Sequence, residues 1–249
     1  MGKVYLVGAG PGAPDLLTLR AARLIEAADI VLHDALVHRD ILALATRARV
    51  IDVGKRYGKV STEQRFINRA LIEAARAHAI VVRLKGGDPM MFARAQEELD
   101  ALRDAGIEHE VVPGVTAALA AAATLGVSLT RRGVARTVTF LTPRVGKDES
   151  ASEWLPAALG ADSVILYMAA GASQSIAASL IDAGKDAATP VAMVESASLA
   201  GQKRHFTTLG ALREQALPRA HGPVVMCVGE VFRDRAGIES PSNLIVRHG

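Results

Sequence analysis

Two glycine segments and a few strand-end charges are the residues best suited to chemistry. Lys85-Gly86-Gly87-Asp88-Pro89 follows the apolar run Ile80-Val81-Val82. Adjacent glycines remove both side chains, so a ligand can lie directly on the backbone. Asp88 supplies a fixed acceptor there, and Pro89 biases it toward an extended conformation. A tight surface turn accounts for Gly86-Gly87-Asp88-Pro89 equally well. Gly8-x-Gly10-x-x-Ala13 formally meets the dinucleotide fingerprint, with Asp29 or Asp34 near the ribose position. However, Pro11 removes an amide from that loop. Pro14 falls where a helix amino terminus would present free N–H groups, so the loop is a poor phosphate cradle. Asp34 closes the run Ile30-Val31-Leu32-His33 and suits a base, a helix cap or a turn. Lys55, Arg56 and Lys59 could stabilise developing charge or bind a carboxylate. Each taken alone reads as part of a solvated basic run. The chain offers no ligand cluster for a metal.

These groups need strands that end beneath them. Apolar runs at 4–7, 30–33, 50–53 and 80–82 predict buried strands. Between them, Leu17, Ala21, Leu24 and Ala28 recur at helical spacing, with Asp15 as a candidate cap. Ile67, Ala70, Leu71 and Ala74 form a second apolar face behind a Ser61–Gln64 capping box. A helix over 96–105 ends at Gly106, and Val111-Val112-Pro113-Gly114 reads as a strand end and turn. Thr116 caps an Ala-rich helix to Leu125, which Gly126 closes. The run 137–141 is expected to be the last strand of the first half. Alternation of this kind predicts βαβ units, an α/β fold and a mostly parallel sheet. The polar stretch 143–152 reads as a linker between domains at 1–142 and 153–249. In the second half, strands at 164–168, 190–194, 203–208 and 223–228 crowd together around a helix at 174–183. That crowding predicts a mixed sheet.

Bulk properties narrow the function. The chain has 249 residues, half of them hydrophobic, enough for one large core or two smaller ones. Aromatics make up only 4%, which argues against base stacking on single-stranded nucleic acid. A net charge of +3 is too small to imply a nucleic-acid partner but suits an acidic substrate. The single cysteine, Cys227, sits in an apolar run and fits a reducing compartment. Met1-Gly2-Lys3 leads straight into a strand without a signal peptide, so a cytoplasmic location is expected. The longest apolar stretch, 117–125, falls well short of the about 20 residues needed to span a membrane.

Several segments occur in a fixed order. They begin with Val7-Gly8-Ala9-Gly10-Pro11-Gly12, Leu16-Leu17-Thr18-Leu19, Ala28-Asp29-Ile30-Val31 with Asp34, and Gly54-Lys55-Arg56. Next come Arg83-Leu84-Lys85-Gly86-Gly87-Asp88-Pro89, Glu97-Glu98 and Val111-Val112-Pro113-Gly114-Val115-Thr116-Ala117. Leu129-Thr130 with Arg132, Tyr167-Met168, and Thr189-Pro190-Val191-Ala192 with Glu195 complete the set. This ordered set, spread over nearly the whole chain, resembles the tetrapyrrole methyltransferase family. The resemblance implies two α/β domains with S-adenosylmethionine between them, usually in a homodimer. It assigns the cofactor to Pro11, Gly86, Gly87, Asp88, Met91, Thr116, Ala117, Met168 and Ala197. It makes Asp34 the proton acceptor and Lys55 the proton donor. The Lys-Gly-Gly-Asp-Pro form is similar to members that C-methylate uroporphyrinogen III to precorrin-2 through precorrin-1, feeding sirohaem, cobalamin or haem d1 synthesis. S-adenosylhomocysteine would be the second product. For a polycarboxylate tetrapyrrole, Arg56, Arg94, Arg131, Arg132 and Arg144 are candidate ligands, because guanidinium binds carboxylate bidentately.

The departures from the family pattern cluster. Phe-Gly-Arg-Gly-Gly-Glu-Glu becomes Phe92-Ala93-Arg94-Ala95-Gln96-Glu97-Glu98. Thr-His-Arg-Asp becomes Thr130-Arg131-Arg132-Gly133, and Thr-Gly-His becomes Thr142-Pro143-Arg144. Tyr-Met-Gly becomes Tyr167-Met168-Ala169, and Glu-Asn-Gly-Thr becomes Glu195-Ser196-Ala197-Ser198. Replacing a glycine is costly where φ must be positive or a ligand presses on the Cα. Three other readings stand beside uroporphyrinogen methylation. They are a methyltransferase of the same fold with another acceptor, an NAD(P)-dependent oxidoreductase, and a ligand-binding relative without catalysis.

Overall fold

Strands and amphipathic helices alternate through the first compact unit, Met1–Ala117. In order they are β1 (Lys3–Gly8), α1 (Leu19–Ala27), β2 (Ile30–His33), α2 (Arg39–Leu42), β3 (Arg49–Asp52), α3 (Thr62–Ala77), β4 (Ile80–Lys85), α4 (Ala95–Asp104) and β5 (His109–Val112). The strand order is β3-β2-β4-β1-β5 and every pair is parallel. The computed structural model describes residues 1–54, 62–146, 153–215 and 220–236.

The run at 80–82 thus becomes the middle strand of this sheet and extends to Lys85. Both its faces are covered, and the period of two sorts its side chains. Val82 and Leu84 pack with Val7, Val31, Ile25 and Ile41 on the α1/α2 side. Val81 packs with Val4, Leu6, Leu71 and Leu102 on the α3/α4 side. Arg83 and Lys85 share the parity of Val81, so two cations enter the α3/α4 layer.

The second unit begins within α5 (Ala117–Leu125), at Ala118. It continues with β6 (Val138–Leu141), α6 (Trp154–Leu159), β7 (Ser163–Tyr167), α7 (Ser173–Asp182), β8 (Pro190–Glu195), β9 (Lys203–Thr208), α8 (Leu209–Glu214), β10 (Val224–Gly229) and α9 (Arg233–Ala236). Its strand order is β6-β7-β10-β8-β9. The β6–β7 pair is parallel and the others are antiparallel, so this sheet is mixed as expected. Leu141, Val164, Leu166, Ile176, Leu180 and Val228 share its core.

Three local expectations are corrected, and a fourth falls partly outside the described residues. The cap of α1 is Thr18, whose side chain accepts from Ala21 N at 3.1 Å, while Asp15 lies in a single 3-10 turn at Pro14–Leu16. Ser61 lies outside the described residues. Gln64, its supposed partner, donates to Asn68 Oδ1 at 3.1 Å and to Glu98 Oε1 at 3.5 Å. The strand at 137–141 joins the second sheet, pairing with β7 from Val138↔Ser163 to Leu141↔Leu166. The units therefore divide at Ala117/Ala118 and not at 143–152. The polar stretch belongs to the β6–α6–β7 crossover, and residues 147–152 lie outside those described. A crossover loop and an interdomain linker have the same polar composition, which is why the sequence pattern misplaced the boundary.

Candidate functional site

Three loops meet at the carboxyl ends of β1, β4 and β5. Ala9 N donates to Lys85 O at 2.8 Å. Gly10 and Gly87 exchange both backbone bonds, at 3.1 and 2.7 Å, in an isolated antiparallel bridge. A Cβ at Gly8 would lie 2.6 Å from Gly114 Cα, and one at Gly114 would lie 2.4 Å from Gly87 O. No side chain fits at either place, so the loops form a backbone floor. Gly87 has φ +70, and a Cβ there would meet nothing closer than 3.9 Å, at Ala117 N and Thr116 Cα. A side chain at Gly87 would therefore enter open space beside residues 116–117. Gly87 faces Thr116 and Ala117 across this floor, a Cβ at Gly86 would instead face Leu36 at 3.0 Å, and Met91 N donates to Asp88 O at 3.3 Å.

Asp88 is less free than expected. Its Oδ2 accepts from Gly114 N at 2.9 Å and its Oδ1 from Met90 N at 2.8 Å. It staples the Gly86–Gly87 loop to the turn after β5, and any ligand contact must use its remaining lone pairs. The dinucleotide reading loses its support here. Asp29 Oδ2 accepts from Ala79 N and Ile80 N at 3.0 and 2.8 Å, at the amino end of β4, opposite the floor. The first α-helix after the glycine loop begins only at Leu19, so Gly8–Gly10 does not lead directly into a helix amino terminus as the dinucleotide fingerprint requires.

Asp34 stands one residue beyond β2, its N–H bonded to Leu84 O at 3.2 Å. Its side chain is 28% exposed, and its Oδ1 pairs with Arg83 Nη2. Oδ2 has no protein partner among the described residues. Behind it lies a buried charge group. Arg83, Lys85 and Glu98 are 1, 2 and 1% exposed. Glu98 Oε1 accepts from Arg83 Nε at 3.1 Å and from Lys85 Nζ at 2.8 Å. Arg83 Nη1 reaches Leu32 O and Leu84 O at 3.4 and 3.2 Å. Two cations and two anions balance, as buried charge requires. Burial opposes the charge on Arg83, yet Asp34 and Glu98 outweigh it and raise its pKa. Lys85 is pushed down, by burial first and then by the neighbouring Arg83. Sequence reasoning passed over Arg83, Lys85 and Glu98 as site residues. The available signal was a pair of cations inside an otherwise apolar central strand, which must find buried partners.

Lys55, Arg56 and Lys59 lie outside the described residues. Gly54, which leads to them, is packed beside the Asp34 turn: a Cβ there would lie 2.5 Å from Ala35 N. Arg94 precedes α4 in a left-handed conformation, φ 56, and grips Glu97 with Nε and Nη2 at 2.6 and 2.7 Å.

In the second unit, Met168 follows β7 with φ 55 and is 47% exposed. A large apolar residue that is both exposed and strained is a candidate ligand contact. Ala197 is buried between Ser196 and Ser198, at φ 53 and 73. Glu195 accepts from His221 N and Gly222 N at 2.7 and 2.8 Å, and these bonds lower its pKa. Arg144 is exposed just beyond β6. Arg131 and Arg132 precede β6, and Arg131 is bonded to Asp234 at 2.7 Å. Because β6 and β7 run parallel, these two arginines lie at the end of the sheet opposite Met168 and Arg144. Of the candidate carboxylate ligands in this unit, Arg131 and Arg132 therefore lie away from Arg144.

The clustered departures are compatible with this backbone. None of Ala93, Ala95, Gln96, Ala169 and Ala197 has positive φ. The strained positions are Phe92, Arg94, Met168, Ser196 and Ser198, and Gly133 is a glycine at φ +78. In this backbone the positions where glycines are replaced carry no positive φ, while the strain falls on their neighbours.

An open parallel sheet with a side-chain-free floor at its carboxyl ends, followed by a mixed sheet with strained strand ends, defines a two-unit α/β ligand-binding enzyme. The model of the Tetrapyrrole (Corrin/Porphyrin) Methylases matches residues 3–213, and the chain belongs to that family. It is 44% identical over 234 residues to uroporphyrinogen-III C-methyltransferase of Pseudomonas aeruginosa, covering 94% of this chain and 95% of that protein. It is 43% identical over 232 residues to siroheme synthase 2 of Aeromonas hydrophila, but spans only 49% of that longer protein. The crystal structure of a Thermus thermophilus uroporphyrin-III C-methyltransferase complexed with S-adenosylhomocysteine superposes with a TM-score of 0.82 at 39% identity. That match covers 94% of each chain.

Proposed function

We propose that the protein transfers methyl groups from S-adenosylmethionine to two ring carbons of uroporphyrinogen III, giving precorrin-2 through precorrin-1. The observation that carries the reading is the backbone floor of Gly8, Gly10, Gly87 and Gly114 beside a strand-end carboxylate with one unengaged oxygen. Full-length similarity to uroporphyrinogen-III C-methyltransferases supports the choice of acceptor. The bound cofactor would supply an electrophilic sulfonium methyl. The carbon–methyl bond forms as the sulfur–methyl bond breaks, S-adenosylhomocysteine leaves, and a ring proton must then be removed. The chain's own part is orientation and proton transfer. Gly86, Gly87, Thr116 and Ala117 shape the floor in the first unit. Met168 and Ala197 are the second unit's candidates for the cofactor. Asp34, through Oδ2, takes the ring proton, and Lys55 serves as the proton donor. Arg94 and Arg144 remain candidate ligands for substrate carboxylates, with Arg56 beside Lys55. A cytoplasmic homodimer completes the reading, supported by the reduced, buried Cys227 and by the family resemblance.

The test is anaerobic incubation with freshly reduced uroporphyrinogen III and methyl-labelled S-adenosylmethionine, followed by mass analysis of the tetrapyrrole. The expected gain is two methyl groups, with one at early times. No gain, with S-adenosylhomocysteine still bound in a parallel titration, would move the search to another acceptor on the same fold. Asp34→Asn should lower kcat by roughly 10²–10⁴ while leaving S-adenosylhomocysteine affinity intact. Equal loss of both would make Asp34 structural.

A further inference from the structure

The group of charges behind Asp34 is built in an uneconomical way for stability alone. Arg83 could face Glu98 with a two-pronged pair, the strongest arrangement open to a guanidinium and a carboxylate. Instead it gives Glu98 only Nε and turns Nη2 to Asp34. Glu98 serves Arg83 and Lys85 with a single oxygen, Oε1, and its buried Oε2 is left without a partner. Every other edge of the Arg83 guanidinium is anchored. Nη1 is held by Leu32 O and Leu84 O, and Leu84 O also receives Asp34 N. The side chain therefore forms a fixed strut from α4 through β4 to the end of β2. Its free prong meets one oxygen of a partly exposed carboxylate. In this arrangement Asp34 Oδ1 takes that bond, and Oδ2 is the unengaged oxygen among the described residues.

We propose that Arg83, braced by Glu98 and Lys85, is the positioning residue for the Asp34 carboxylate, fixing which oxygen is offered to the substrate proton. The inference rests on the reading of Asp34 as the base. Arg83 acts through Asp34 and touches neither cofactor nor substrate. Without the strut, Asp34 keeps its chemistry and loses its orientation, which is a loss of turnover and not of binding.

A double-mutant cycle with methyl transfer as the readout tests this. Arg83→Lys keeps the charge and removes the fork. It should lower kcat by about tenfold or more, with KM for the tetrapyrrole and S-adenosylhomocysteine affinity within about twofold. In an Asp34→Asn background, Arg83→Lys should change kcat by less than about twofold, since the group it orients is gone. Glu98→Gln, close in shape, should show the same dependence on Asp34 and serves if Arg83→Lys does not fold. A purely structural role predicts the same fold-loss in both backgrounds, and that additive result overturns the proposal. If Asp34→Asn itself turns over like the parent, the reading of Asp34 falls and this inference with it. A slowed Asp34→Asn with additive effects overturns only the positioning role.

Discussion

At the scale of single residues, Gly87 has the most sharply defined consequence. Its φ of +70 disfavours any side chain, while the space above it is open to 3.9 Å. Strain and ligand exclusion therefore act on the same atom and must be measured apart. Gly87→Ala should cost about 1–2 kcal/mol of stability from the left-handed backbone alone. Gly87→Leu adds atoms that enter the space beside Thr116 and Ala117, so S-adenosylhomocysteine binding should disappear in calorimetry while the protein stays folded. Normal binding by folded Gly87→Leu would remove this glycine from the cofactor floor. The sequence marked Gly86–Gly87 as a place of close backbone approach, because adjacent glycines after a buried strand suit a tight turn or a ligand surface equally. Asp88 was read as a ligand acceptor, and its two loop bonds could not be foreseen. A carboxylate beside glycines looks the same in sequence whether it faces a ligand or a backbone amide.

At the scale of elements, the site depends on how closely β1, β4 and β5 bring their trailing loops together. Gly114 is the tightest point, because a Cβ there would press to 2.4 Å on the carbonyl of Gly87. Backbone cannot yield as a flexible side chain can. Gly114→Ala should separate the two loops, release the Asp88 bond to residue 114 and weaken S-adenosylhomocysteine binding more than tenfold. Gly106→Ala is the control. It sits at φ +68 with nothing within 4 Å, so it should cost about 1 kcal/mol in denaturant midpoints and leave binding unchanged. The parallel sheet and its loops were readable because β-branched runs and glycine breaks recur with βα spacing. The assignment of β6 to the second sheet was not readable. Val138–Leu141 has the same apolar pattern in either sheet, and only its pairing with β7 decides. The buried charges of Arg83, Lys85 and Glu98 were only half visible, since sequence shows the cations but not which helix brings the anion.

At the scale of the whole molecule, acid should act on the second unit through two carboxylates that hold backbone. Asp162 accepts from Arg136 N, Thr137 N and the Thr137 hydroxyl, and these bonds lower its pKa from the ordinary 3.8. Glu195, lowered from 4.5 by Gly222 N and His221 N, holds the backbone at 221–222 against the end of β8. A carboxylate whose folded value lies below its unfolded one adds stability above the unfolded value and loses it as pH falls through the folded value. The melting temperature should therefore be flat near neutrality and fall as pH drops below about 4.5, with the ordinary values setting the upper edge of that window. Asp162 joins the amino ends of β6 and β7, and Glu195 closes the end of β8, so protonation loosens opposite ends of one sheet. Asp162→Asn with Glu195→Gln should lower the melting temperature at pH 7 and flatten its decline in acid. Circular dichroism melts across pH 3–8 read both effects. A double variant whose acid decline matches the parent's would place the acid-labile groups elsewhere in the chain.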